Sequence, residues 1–503
     1  MQYKQLEVEE YLRRLWDKYN GRAFTILCGD QWGDGGKRAV ESAIIEYHDV
    51  CVRLQGGANT GGTAYVIGSD GLLHKFVFHL IPIGWVFGKP AIIGDRVLID
   101  LTRLITETRD LFAVCGKPSA PLYISKKAPV YLRIHSLCEQ WVEYIKGGHR
   151  IGTTGRGIGP MMAFTDLRLN LLVGHLYYPD LVRRYVREAY QFLAPIIKEM
   201  DQLGLIRSND YDPEEEIAEL LAQAEPIREY VTDTGPILHD LAARNVPTLF
   251  GLTQGFGLHF SGTYPWNSAT ESIASGAAYC CGLPGKYFGP VIMVSKLLPT
   301  RVGAGPFPTG WWKRQEAEQF PKDHPELFSD LPEYDPEERE QFLAENREKI
   351  NRGTANDIEK AQYFMVLGVE KGASTGRGRE VGFPDLHVTD CACAVNGVDS
   401  LVLTRVDMLS GLEFQLPVCV GYHLDGQPVP RFVLPTPAES LERVELDCEP
   451  LDIHLCGVNL TNCSREEALP PDITRLVEFY EQRLGVPVSL STSPEKGGKI
   501  FRL

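Results

Sequence analysis

The stretch FTILCGDQWGDGGKRAVESAI, residues 24–44, constrains this chain more than any other. The apolar run from Phe24 to Cys28 reads as a buried strand, and a glycine-rich turn follows it at once. Val40 and Ile44, with His48 one turn further on, then fall on one face of a helix. A strand, a glycine loop and a helix N-terminus in that order make an anion site, because the first free N–H groups and the helix dipole face the loop. The segment is not a Walker A motif. Gln31 stands where that motif begins with glycine, and Arg38 stands where its magnesium-binding hydroxyl belongs.

Three further segments pair glycine with hydroxyls or guanidinium groups: IGTTGRGIGP (151–160), TRVGAGPFPTG (300–310) and ASTGRGR (373–379). Each alone reads as a loop in which glycine supplies unusual backbone angles. Four in one chain point to a site that grips several phosphates or carboxylates. The net charge of −15 leaves no basic footprint for a nucleic-acid polymer. Small anions remain compatible with it, since local Arg and Lys can outweigh the global sign. No apolar run is long enough to span a membrane. The twelve cysteines sit mostly in apolar runs, which suits reduced thiols in a cytoplasmic protein. Cys391 and Cys393 lack the paired spacing of a zinc site and read as core residues.

The layout predicts one mixed α/β domain over residues 1–503, with a charged amphipathic N-terminal extension (1–22) and a charged, mostly solvated helical insertion (311–371). Within the insertion, Asp335 and Pro336 read as a helix start. Residues 176–245 read as helical, with long mixed apolar and charged runs, and 473–485 as a further helix. His79, Trp311, Trp312 and the Tyr264-Pro265-Trp266 run read as packing residues, and Arg96 and Arg150 as surface charges.

Taken in order, GDQWGDGGK (29–37), QGGANTGGT (55–63), IGTTGRGIGP, TQGFG (253–257), GTYPWNS (262–268), TRVGAGPFPT, STGRGR (374–379), NGVDSLVLTRVD (396–407) and LSTSPE (490–495) resemble the adenylosuccinate synthetase family. The resemblance implies a large mixed-sheet, P-loop-NTPase-like α/β fold with helices on both faces. It also implies a homodimer that uses GTP, magnesium and aspartate to convert a purine nucleotide. In that family the γ-phosphoryl group of GTP moves to the purine 6-oxygen, and the aspartate amine then displaces phosphate. Positioning and charge neutralisation dominate such a transfer.

By the same resemblance, Asp34 is the base that takes the purine N1 proton and, with the Gly61 carbonyl, touches magnesium; Gln254 is the second catalytic position. Gly33, Gly35, Gly36, Lys37 and Thr63 belong to the GTP phosphates, and Arg405, Asp407, Ser491 and Ser493 to its base. Asn59, Thr154, Gln254, Leu258, Ser268 and Arg377 belong to the acceptor nucleotide, with Arg168 reaching the phosphate in the neighbouring subunit. Ser374, Thr375, Arg377 and Arg379 grip the aspartate carboxylates. The departures cluster. Gly62 stands where the family's pattern has a histidine general acid, Gly35 replaces glutamate, Arg38 glycine and Ala39 lysine. Gly378 and Glu380 replace arginines. Losing a general acid costs on the order of 10²–10⁴ in rate. Two readings follow: a working ligase, on IMP or on a 2-amino purine nucleotide such as (d)GMP, or a nucleotide-binding protein that no longer ligates.

Overall fold

Phe24–Gly29 forms a strand, β1, buried at every position. The computed structural model describes residues 8–268, 271–328, 337–372, 376–460, 469–491 and the backbone of 500–502. Nine more strands join β1 in one sheet: β2 (Val50–Gly56), β3 (Ala91–Val97), β4 (Leu122–Ser125), β5 (Val231–Thr232), β6 (Thr248–Gly251), β7 (Val291–Lys296), β8 (Ser400–Thr404), β9 (Val488–Ser491) and β10 (Ile500–Arg502). The order across the sheet is β10-β9-β8-β7-β1-β6-β2-β3-β4-β5. The edge strand β10 runs antiparallel to β9, and every other neighbour pair is parallel.

A parallel sheet must be covered on both faces, and side-chain alternation shows that this one is. Phe24, Ile26 and Cys28 enter one apolar cluster while Leu27 enters the other; Val52 and Cys51 divide the same way, as do Met293 and Val294. The chain passes from β1 to one side of the sheet through β2 and to the other through β7, β8 and β9. A crevice therefore opens beside β1 at the carboxyl ends of the strands, where ligands of open parallel sheets bind.

The N-terminal extension holds the helix Val8–Asp17, with Val8, Tyr11, Leu12 and Leu15 buried. It packs against the second cluster, and the Trp16 indole donates to the Thr25 hydroxyl at 3.0 Å. Residues 176–245 are not helical throughout. Helices Pro179–Gln202, Pro213–Ala224 and Thr234–Ala243 are interrupted by β5, which two residues form by pairing with β4.

The segment 311–371 is helical, and most of its described residues are exposed or half-buried, but part of it joins the core. Its helix Asp357–Gly368 buries Ala361, Tyr363, Phe364, Met365 and Val366, and Trp311 and Trp312 are buried with them in the first cluster. Helices Arg314–Asp323 and Glu337–Asn351 keep broad wet faces, the first burying Ala317 and Phe320 and the second Leu343, Asn346 and Ile350; Asp335 and Pro336 lie outside the described residues. Cys391 and Cys393 lie in the buried helix Leu386–Asn396, as read. His79 is a core residue, its ring 3.1 Å from the buried Glu107 carboxylate. Arg96, read as a surface charge, instead holds Glu271 at 2.8 Å and lies over the Tyr279 ring. No helix among the described residues is long and apolar enough to cross a membrane.

Leu12 is fully buried by the extension. Leu12→Ala is expected to cost about 2–5 kcal/mol of stability in a urea melt, as cavities in packed cores do. A cost below about 0.5 kcal/mol would show that the extension does not belong to the core.

Candidate active site

The loop after β1 owes its shape to three residues with left-handed backbone, Gly33 (φ 95°), Asp34 (φ 50°) and Gly36 (φ 83°). Gly36 is the N-cap of helix Lys37–Ile44, so Asp34 is not spent on capping it. A Cβ at Gly36 would approach the Thr404 hydroxyl to 3.3 Å, and that hydroxyl donates to the Gly35 carbonyl at 2.9 Å. The loop is thus pinned to the end of β8. Asp34 is free to face outward, and its carboxylate accepts the Arg379 Nε at 3.0 Å. The Lys37 ammonium is buried and donates to the Gln254 carbonyl; burial lowers its pKa below the ordinary lysine value. Behind the loop, Asp30 accepts the hydroxyls of Ser295 (2.5 Å) and Thr389 (2.9 Å), and burial raises its pKa to about 6.

In front of the loop lies a cavity of about 950 Å³. The last residues of β6, β7, β8 and β9, namely Gly251, Lys296, Thr404 and Ser491, all line it. Of the residues named from sequence, Gly33, Asp34, Gly35, Gly36, Lys37, Asn59, Gly61, Thr63, Thr154, Gln254, Leu258, Ser268, Arg379 and Arg405 share these walls. The Ser268 hydroxyl is buried without a hydrogen-bond partner among the described residues, and its carbonyl holds the Gln254 side chain at 2.9 Å. The 151–157 loop is held from below. Glu143 accepts the backbone N–H groups of Ile151 (3.1 Å) and Gly152 (2.8 Å), and Glu139 accepts that of Gly157 (2.8 Å).

Three expected residues stand apart from this cavity. Asp407 lies beneath Arg405, 4.0 Å from its Nε. Arg168 ends helix Ile158–Leu167 and is exposed, its guanidinium donating to the nearby Asp166 carbonyl. Arg377 lines a small adjoining recess with Thr154 and Arg379. Ser374, Thr375 and Ser493 lie outside the described residues.

The recess shows why the arginine run is broken. A side chain at Gly378 would collide with the Ala317 carbonyl and come within 2.5 Å of Met365 Cε, both from the 311–371 segment. The same segment brings Arg314 to the recess, where Arg301 and Glu380 also lie. Burial raises the Glu380 pKa to about 7 against the pull of Arg301 and Arg314, and lowers that of Arg301 to about 9.

Sequence reading missed several wall residues. The Lys296 ammonium donates to Glu370 at 2.5 Å and to Thr300 at 3.3 Å; burial lowers its pKa. Glu41 and Arg53, also missed, line the cavity together with Arg38, which the sequence already marks as a departure beside Lys37. A lysine closing an apolar strand, as in Val-Ser-Lys (294–296), is the one local signal available, since a charge at that position needs a partner.

The family model described as adenylosuccinate synthetase matches residues 26–500. The chain belongs to the adenylosuccinate synthetase family. It is 31% identical over 489 residues to the adenylosuccinate synthetase of Mycosarcoma maydis, covering 97% of this chain and 98% of that one. It is 32% identical over 472 residues to that of Nostoc punctiforme, covering 93% and 92%. The fold resembles that of the fully ligated adenylosuccinate synthetase from Plasmodium falciparum, with a TM-score of 0.73 at 24% identity over 94% of this chain and 98% of that chain. The architecture is therefore that of an adenylosuccinate synthetase, and the family is one of carbon–nitrogen ligases.

An unfolded glutamate loses its proton near 4.5, whereas Glu380 keeps its own to about 7. Between those values the native state binds the extra proton, so stability falls as pH rises through the window and the loss is complete above it. Glu380→Gln is expected to remove up to about 3 kcal/mol of that decline, read from urea melts at about pH 5 and pH 8. An unchanged slope would show that Glu380 is already ionised throughout.

Proposed function

We propose that this chain is a GTP-dependent ligase that phosphorylates the 6-oxo group of a purine nucleotide, IMP or a 2-amino analogue such as (d)GMP, and joins that carbon to the amine of aspartate. The observation that carries the reading is the convergence of Asp34, Lys37, Asn59, Thr154 and Gln254 on one cavity, with Arg379 tying Asp34 to the recess at Arg377. A dead scaffold has no use for a base coupled in this way to an amino-acid subsite.

In this reading Asp34 takes the purine N1 proton, which puts negative charge on the 6-oxygen. That oxygen forms a bond to the γ-phosphorus as the bond to the β-phosphate oxygen breaks, releasing GDP. The aspartate amine then bonds to C6, the C6–O bond breaks, and phosphate leaves. Lys37 and the N–H groups of the first loop neutralise the phosphate charge. Arg377 and Arg379 orient the amine donor through its carboxylates. The Asp34 carboxylate and the Gly61 carbonyl are hard oxygen donors on one wall and fit a magnesium ion, which keeps waters and takes few protein ligands. Bound there, magnesium would offset the charge of the GTP phosphates. In the same reading Arg168, exposed and outside its own cavity, serves the acceptor phosphate of a second copy in a homodimer. A cytoplasmic location belongs to the same reading.

The test is mass spectrometry of the protein with GTP, Mg²⁺ and aspartate, offering IMP, GMP and dGMP one at a time. An aspartyl adduct with equal GDP and phosphate is expected. Asp34→Asn should lower its rate by about 10²-fold or more while GTP binding by calorimetry stays within about threefold. Undiminished product from that variant would remove Asp34 as the base.

A further inference from the structure

Two glycines in the cavity wall leave the space that one ion pair fills. A Cβ built on Gly62 would lie 3.0 Å from Arg38 Nη2 and 3.1 Å from its Cζ, with Nε closer still. A Cβ on Gly251 would collide with Glu41 Oε1 and stand 3.3 Å from its Cδ. Arg38 and Glu41 are three residues apart on the helix that starts at the phosphate loop, and they hold one another at 3.0 Å between Nη1 and Oε2. Their side chains are only 16% and 11% exposed. One helical turn thus presents a salt bridge whose two heads fill the two places that Gly62 and Gly251 leave without side chains.

A second guanidinium group stands close to this pair. Arg53, on β2, spends its Nη2 on the Gly57 carbonyl (3.1 Å) and the Thr60 hydroxyl (3.3 Å). Its Nε is buried with no hydrogen-bond partner among the described residues. Burial, reinforced by Arg38, lowers the Arg53 pKa to about 10. Two guanidinium groups therefore stand at the cavity wall beside Gly61, Gly62 and Thr63, with Glu41 on the same lining and Glu107 acting on Arg53 from outside it. An anion arriving there meets both guanidinium groups.

We propose that the Arg38 guanidinium contacts the oxygen undergoing phosphoryl transfer and stabilises its charge, and that Glu41 is the residue that positions it. This rests on the ligase reading above. A guanidinium offers five N–H donors in a fixed plane and has no proton to lend. The step therefore proceeds by charge stabilisation, with no proton passed to the acceptor oxygen from this wall. Glu41 restricts the arginine to one rotamer, so that the charge is already aimed before substrate binds. Gly62 and Gly251 are the conditions for that aim.

The test uses the full chain with the acceptor on which it ligates. Arg38→Ala and Arg38→Gln are expected to lower kcat by about 10²-fold or more, with KM for GTP and acceptor within about threefold. Added guanidinium chloride at millimolar concentration should restore part of the Arg38→Ala loss. Arg38→Lys should fall between, because an ammonium lacks the planar fork. Glu41→Gln should lower kcat less than Arg38→Ala does. Gly62→Ala should lower kcat in the parent and add almost nothing to Arg38→Ala, since both act on the same group. A pair that merely fills space would instead lower the melting temperature of both Arg38 variants without a kcat loss that guanidinium rescues. That result, or kcat in Arg38→Ala and Arg38→Gln within about threefold of a ligating parent, overturns the inference alone. A parent that forms no adduct with any acceptor overturns the ligase reading and this inference with it.

Discussion

The hydrogen bond from the Thr404 hydroxyl to the Gly35 carbonyl fixes the loop on which the cavity depends. It joins the end of β8 to the turn after β1, and it does so only because Gly36, without a Cβ, lets the threonine approach. With the turn pinned, Asp34 is held in left-handed backbone and faces Arg379, while Lys37 starts the helix and turns inward to the Gln254 carbonyl. A carboxylate and an ammonium, the proposed base and phosphate-binding group, are thereby set in one loop by backbone geometry. The carboxyl ends of the neighbouring strands then supply the remaining walls, as the crossover of an open parallel sheet dictates.

The departures from the family's pattern are linked to one another in space. Gly62 and Gly251 are the two faces of a socket for the Arg38–Glu41 pair, and Gly378 is the gap through which the 311–371 segment reaches the recess. At Gly62 and Gly378, where the family's pattern carries side chains, the space is taken by groups that enter from helices. Arg38 stands beside Gly62 at the phosphate loop, and Arg314 stands beside Arg377 and Arg379. Isolated substitutions of large residues by glycine would leave cavities and lower stability. Substitutions filled from another element leave the packing intact and alter which charge meets the ligand.

Local pattern made the strand, loop and helix at 24–44 legible, because a short apolar run, a glycine cluster and two core residues one turn apart all lie within twenty-odd residues. The family order of the glycine loops brought most of the cavity wall with it. Contacts between distant segments were not legible. Nothing near Lys296 announces Glu370, and nothing near Gly251 announces Glu41; these pairs form only when the sheet brings strand ends and helix together. The part of the 311–371 segment that enters the core was not legible for the same reason. Its charge density suggested solvation, yet Tyr363, Phe364, Met365 and Val366 are consecutive and buried, a run that a helix with core on several sides permits. Arg96 looked like a surface charge because its partner, Glu271, is far along the chain.

The central claim is that the purine 6-oxygen leaves as part of phosphate after accepting the γ-phosphoryl group. The direct measurement is the fate of that oxygen: supply the ligated acceptor labelled with ¹⁸O at the 6-oxo position, together with GTP, Mg²⁺ and aspartate, and weigh the phosphate released. One ¹⁸O in each phosphate, in step with adduct formation, is the result this account predicts. Unlabelled phosphate, with the label lost to water or kept on the purine, would contradict it.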